Sequence, residues 1–154
     1  MSAFQESPEA AYVLLRLWER RFALPADRVE ELASASRLDK FPHKTPGLEG
    51  VIVRRKRVLA VRDAGSLLTG RALLVHRFYL IVRRHYGAAV ELEAIPVSGD
   101  CELVGGAVAL PRGDDAPEYF SGSIDLGGEQ IPVLDIEKLA GAAAPSGGLA
   151  RSGA

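Results

Sequence analysis

The residues best suited to chemistry are sparse: three histidines (His43, His76, His85), one cysteine (Cys101) and scattered carboxylates. No two histidines sit at helical or His-x-His spacing and none neighbours a carboxylate pair. A zinc or other metal site therefore has no ligand set, and the histidines read as strand or loop surface residues. Cys101 stands between Asp100 and Glu102. An acidic setting disfavours the thiolate, so a catalytic cysteine is not expected. The serines lack a Gly-x-Ser-x-Gly elbow, and no phosphate-cradling glycine loop precedes a helix. Gly105-Gly106 and Gly127-Gly128 read as turn glycines, and Asp114-Asp115 as a solvated turn. Asp125, Glu129, Asp135 and Glu137 read as water-facing or backbone-capping. The expectation is a binding protein with no catalytic residue, metal or cofactor.

The sharpest charge feature is the run Arg54-Arg55-Lys56-Arg57. A nucleic-acid reading would set it against phosphates in a small barrel. That reading wants aromatic stacking platforms, yet aromatics are 6% of the chain and the nearest, Phe41 and Phe78, flank the run. Lys+Arg number 19 against 20 Asp+Glu, so the basic excess typical of nucleic-acid binders is missing. A solvated or protein-docking hairpin tip fits better.

The 154 residues, 47% hydrophobic and 25% charged, suit one domain or two small subdomains sharing a core. One cysteine allows no intramolecular disulfide. The first residues lack the basic start and apolar run of a secretory signal, and no stretch reaches the roughly 18–20 apolar residues that span a bilayer. Cytoplasmic location without membrane insertion is expected. Residues 1–10 read as a flexible start, 11–140 as the folded unit, and the Gly/Ala/Ser-rich 141–154 as a disordered tail.

Residues 11–17 read as a strand buried on both faces, 18–21 as a polar turn, and 22–24 as extended chain. From Pro25 to Leu32 local rules favour a helical turn. Pro42, Pro46 and Gly47 mark a loop. Residues 51–53 and 58–61 flank the basic tip as a β-hairpin. Asp63 caps a short helix. Strands are expected at Ala72–Val75, Phe78–Val82 and Tyr86–Leu92, a plain connection over Gly105–Pro117, a last strand at Ile131–Leu134, and a turn capped by Asp135.

Sliding Gly50–Leu67 onto Gly122–Leu139, an offset of 72 (122 minus 50), aligns Gly50 with Gly122, Ile52 with Ile124, Val61 with Val133, Asp63 with Asp135 and Leu67 with Leu139. Both copies run strand, polar turn, strand, Asp-capped turn. Two similar small β-barrels, each closed by a hairpin and a short helix, explain the pattern.

Several segments resemble the CheW-like domain family in order and spacing from about residue 11 to 140. They are Tyr12–Leu17 with Phe22–Leu24 and Val29–Leu32, Thr45–Val51, Val58–Asp63, Tyr86–Glu91, Tyr119–Gly122 and Ile131–Leu139. The resemblance implies an all-β fold of two intertwined, SH3-like, five-stranded barrels with short helices, and extended chain at Pro25–Leu32. It implies a non-enzymatic adaptor coupling the cytoplasmic tip of a chemoreceptor to a CheA-type histidine kinase, with Val29, Glu31, Gly50 and Arg55 on the protein-binding surface. Departures fall at the hairpin, where Val53-Arg54-Arg55-Lys56 replaces the usual Asn-Leu-Arg-Gly, at Trp18–Arg21, which lacks the usual turn glycine, and at Glu91-Leu92, where Asp-Gly is usual. Two other readings remain open: a nucleic-acid-binding barrel using tip 54–57, and a kinase regulator of a pilus or developmental system without receptor contact.

Overall fold

The computed structural model describes residues 10–34 and 37–142; the expected flexible start and the tail from residue 143 lie outside them. Twelve strands and two short helices follow one another: β1 (Ala11–Leu17), β2 (Arg20–Pro25), β3 (Val29–Ser34), β4 (Asp39–Thr45), β5 (Leu48–Arg54), β6 (Arg57–Arg62), α1 (Ala64–Thr69), β7 (Phe78–Tyr86), β8 (Ala89–Val97), β9 (Glu102–Gly105), β10 (Val108–Pro111), β11 (Phe120–Leu126), β12 (Glu129–Leu134) and α2 (Ile136–Gly141). They form two barrel-like sheets, ordered β10-β11-β12-β2-β1-β9 and β3-β7-β8-β6-β5-β4. Each has six strands rather than five. The second sheet is one continuous stretch of chain, β3–β8, and interrupts the first, which is how the two are intertwined.

The repeat has a topological meaning. In both sheets the hairpin preceding the helix (β5–β6, β11–β12) runs parallel to the second strand of a central hairpin (β7–β8, β1–β2), through Val61↔Ala94 in one and Val133↔Ala23 in the other. The central strands alternate two apolar faces. Tyr79, Ile81 and Ala94 fill the interior of the second barrel, and Leu14 and Ala23 that of the first. Their neighbours in sequence, Leu80, Val82, Ile95 and Val97 from one barrel and Leu15, Leu17, Phe22 and Leu24 from the other, meet in a shared central core. Burial on both faces explains the near-continuous apolar runs.

The structure corrects the sequence reading at five places. The turn at Pro25–Leu32 is helical only over Ala26–Arg28, after which the chain is extended from Val29. The loop read around Pro42 is strand β4, an edge strand, where proline is tolerated. Ala72–Val75 forms no strand, because β3 and β8 already occupy both edges of β7. Tyr86–Leu92 contains a hairpin turn at Gly87-Ala88, with Gly87 at φ 61°. The connection from Gly105 to Pro117 contains β10. The turn at Trp18-Glu19 lacks glycine, and Trp18 itself takes φ 59°, with its backbone N–H donating to Ser98 Oγ at 2.6 Å.

Candidate docking surface

Edge strand β3 and the β5–β6 hairpin bring the candidate residues into proximity. Arg54 donates to both oxygens of Glu31, Nη2 to Oε1 at 2.8 Å and Nε to Oε2 at 3.3 Å, a bidentate pair that joins β3 to β5 across the open side of the second barrel. Arg55 Nη2 adds a contact to Glu31 Oε1 at 3.3 Å, and its side chain is largely exposed. The Arg54 guanidinium holds the Glu31 carboxyl below its usual range, against the upward push of burial. Arg54 was visible in the basic run, but only its placement opposite Glu31 identifies it as the bidentate member and Arg55 as the exposed one with a single contact.

Val29 lies at the start of β3, paired with Val82 and packed half-buried against the central core. Gly50 is buried in β5. A Cβ there would sit 2.3 Å from the Asp39 carbonyl oxygen, so the residue type is set by close approach of β4. The structure thus joins Glu31 to Arg55 and sets Val29 two residues along the same strand, while Gly50 lies within the hairpin's first strand, five residues before Arg55.

Beyond Arg54–Glu31 the tip is Arg55-Lys56, at φ 52° and 65°. Two-residue hairpin turns of the tight type require positive φ at both central positions, ordinarily supplied by Asn or Gly. Arg57 is exposed opposite Arg54, and one rung back Val53 pairs with Val58, 57% and 67% exposed.

A second polar cluster lies where the barrels join. Arg28, in the turn leading into β3, bonds Glu137 Oε2 of α2 at 2.5 Å and also meets His85 Nδ1 of β7; the His85 backbone N–H donates to the same Glu137 oxygen at 2.8 Å. Burial pushes the Glu137 carboxyl up, but the His85 N–H and Arg28 together hold it below its ordinary value. Sequence reading missed this clasp, whose members lie up to 109 residues apart. His76 is not a surface residue as expected. It sits half-buried with Nε2 3.3 Å from Glu49 Oε1 and Nδ1 3.3 Å from the Tyr79 hydroxyl.

Burial, and then Asp100, push the Cys101 thiol up to about 11, so it stays protonated at neutral pH. Among the described residues no three His, Cys, Asp or Glu side chains group as metal ligands, and no helix is long and apolar enough to cross a membrane.

The family model for the CheW-like domain matches residues 11–144. Among solved structures, the scaffolding protein TtCheW from Thermoanaerobacter tengcongensis has a similar fold, with a TM-score of 0.72 at 14% identity over 90% of this chain and 92% of that one. No curated protein sequence matches significantly.

Proposed function

The chain belongs to the CheW-like domain family, and from that membership we propose that it is a non-enzymatic cytoplasmic adaptor coupling chemoreceptors to a CheA-type histidine kinase. In this reading the receptor's cytoplasmic helical tip lies along the cleft beside β3, against Val29 and Glu31, and the β5–β6 hairpin contributes Arg55. The observation that carries the reading is the Glu31–Arg54–Arg55 cluster, in which Arg54 makes the bidentate bond to the carboxylate while Arg55, largely exposed and held by a single contact at 3.3 Å, can turn to a partner carboxylate. Gly50 serves the same surface by letting β4 approach and fix the hairpin that presents it.

The test is direct binding of the purified protein to the regulatory domain of its host's CheA-type kinase and to a receptor cytoplasmic fragment. Val29→Asp puts a charge into a half-buried apolar contact and should weaken receptor-fragment binding by roughly tenfold or more. Circular dichroism checks that the variant is folded. Arg55→Glu provides a second variant at an exposed position. Undiminished receptor-fragment binding by both would remove the β3 face from the interface.

A further inference from the structure

The two repeated hairpins share a β-bulge but fill it with different residues. In the second barrel Leu48 pairs with Arg62 and Gly50 with Val61, so Glu49 is the extra residue of β5. In its twin, the β11–β12 hairpin, Phe120 pairs with Leu134 and Gly122 with Val133. The extra residue there is Ser121, 72 positions on from Glu49. Ser121 is exposed, whereas the Glu49 side chain is only 20% exposed. The fold forms this bulge without a carboxylate, and burying one there is unfavourable unless it is compensated.

Glu49 faces the connection from α1 to β7. His76 of that connection has Nε2 3.3 Å from Glu49 Oε1 and 3.1 Å from the Leu73 carbonyl oxygen. Two acceptors at one nitrogen call for a proton on it. Nδ1 meets the Tyr79 hydroxyl at 3.3 Å, a group that both donates and accepts, so these contacts suit a neutral or a charged ring. Glu49 Oε2 is buried with no hydrogen-bond partner among the described residues. The charged and titratable groups around Glu49 there are His76 of the connection, Asp63 at the α1 cap, Lys40 of β4 and Tyr79 of β7. Burial pushes the Glu49 carboxyl up, against the pull of His76 and Lys40, and Asp63 adds to the push.

We propose that Glu49 and His76 form a proton-operated latch that fastens the α1–β7 connection to the second barrel and releases it as pH rises through neutrality. Leu73, in the central core, and His76 anchor this connection. Between them Leu74 and Val75 are 85% and 68% exposed and line, with Trp18 and Leu73, an open groove at the seam of the barrels. Opened to water, the pair sheds its last proton near the ordinary imidazole value of about 6.5. Closed, the pair keeps that proton, because its loss leaves a buried carboxylate beside Asp63 with only Lys40 to offset it among the described residues. Above about pH 6.5 the closed form therefore binds more protons than the open one, and closure weakens as pH climbs. The latch acts on the seam whatever partner the protein binds, so it stands apart from the adaptor reading.

Trp18 is the chain's only tryptophan. Its indole N–H donates to the Arg71 carbonyl oxygen at 3.0 Å, and the Arg71 guanidinium lies over its ring. Its emission therefore reports the connection. In the full chain that emission should move to longer wavelength in one transition between pH 6 and pH 8.5. Glu49→Gln, an uncharged isostere, should keep the pH 6 emission throughout, and His85→Gln should titrate like wild type. Tryptic cleavage at the exposed Arg71 and Arg77 is a second readout. The wild-type rate, divided by that of Glu49→Gln at the same pH, should rise about tenfold from pH 6 to pH 8. Glu49→Ser, the twin's residue, replaces Glu49→Gln in both measurements if the latter does not fold. A wild-type emission that stays flat, or a constant cleavage ratio, overturns the latch. So does a transition that Glu49→Gln retains, or one that His85→Gln removes.

Discussion

The hairpin-plus-helix of the second barrel (β5, β6, α1) and that of the first (β11, β12, α2) have the same skeleton. Gly50 pairs with Val61 and Gly122 with Val133; Ile52 faces Leu59 and Ile124 faces Ile131. A Cβ at either glycine would lie 2.3 Å from a carbonyl oxygen of the adjoining edge strand, that of Asp39 or Leu110. Asp63 accepts from Ser66 N at 3.0 Å and Asp135 from Lys138 N at 3.2 Å, one cap geometry used twice. The two units diverge at their tips, at the parallel junction and in how the helix is held. In barrel 2 the junction carries the buried pair Arg62–Glu93, bonded at 2.8 and 2.9 Å. In barrel 1 the corresponding residues are Leu134 and Phe22, both in the central core. Packing inside each barrel admits few residues and is met alike twice, while the exposed tips and the buried junction have diverged.

The junction gives the largest test. Glu93→Ala leaves Arg62 buried without its partner, and Arg84 loses the same carboxylate, whose Oε2 lies 3.4 Å from its Nε. The expected cost is about 3–5 kcal/mol in urea unfolding. Installing the twin's pair, Arg62→Leu with Glu93→Phe, should recover most of it, because apolar residues of similar volume replace buried ion pairs at little cost. A double variant as unstable as the single one would break the equivalence of the two junctions.

Next in size are the paired glycines. Gly50→Ala and Gly122→Ala each force a methyl onto a backbone carbonyl that cannot turn away. Each should cost about 2–3 kcal/mol, and the two costs should agree within the usual context scatter. Tolerance of one and not the other would mean that the edge strands β4 and β10 are not held alike.

Much of this was legible in the sequence. Gly50/Gly122, Asp63/Asp135 and Ile52/Ile124 disclosed the duplication because each has a local role that few residue types fill. The tip was recognisable as a hairpin from the charged run between apolar segments. Strands β4 and β10 were not legible, since edge strands tolerate the prolines and short length that argue for loops. Nor was the strand order, because β6 reaches β8 only through long-range parallel pairing. The candidate site divides the same way. Glu31 and Arg55 came from the family resemblance, but Arg54 as the locked partner, the Arg62–Glu93 pair and the Arg28–Glu137–His85 clasp all depend on partners distant in sequence.

The smallest expected effect concerns the helices. Glu137 of α2 is held by Arg28 and the His85 N–H, whereas its counterpart in α1 is Gly65, where a Cβ would meet the Arg71 carbonyl oxygen at 2.9 Å. The first barrel's helix is therefore fastened through a carboxylate of its own, whereas α1 is held by Arg20, whose Nη1 donates to the Leu68 carbonyl at 2.8 Å. Because folding lowers the Glu137 pKa, the unfolded chain binds its proton more readily. The clasp's contribution is then fully present above the unfolded value of about 4.3 and is lost as pH falls through the lower folded value. The carboxylate is about a third exposed, so the contribution stays under about 1 kcal/mol. Urea midpoints of wild type and Glu137→Gln, measured from pH 7 to pH 3, should differ at neutral pH and converge at the acid end. A gap that persists unchanged at pH 3 would mean that shape, and not the charge of Glu137, fastens α2.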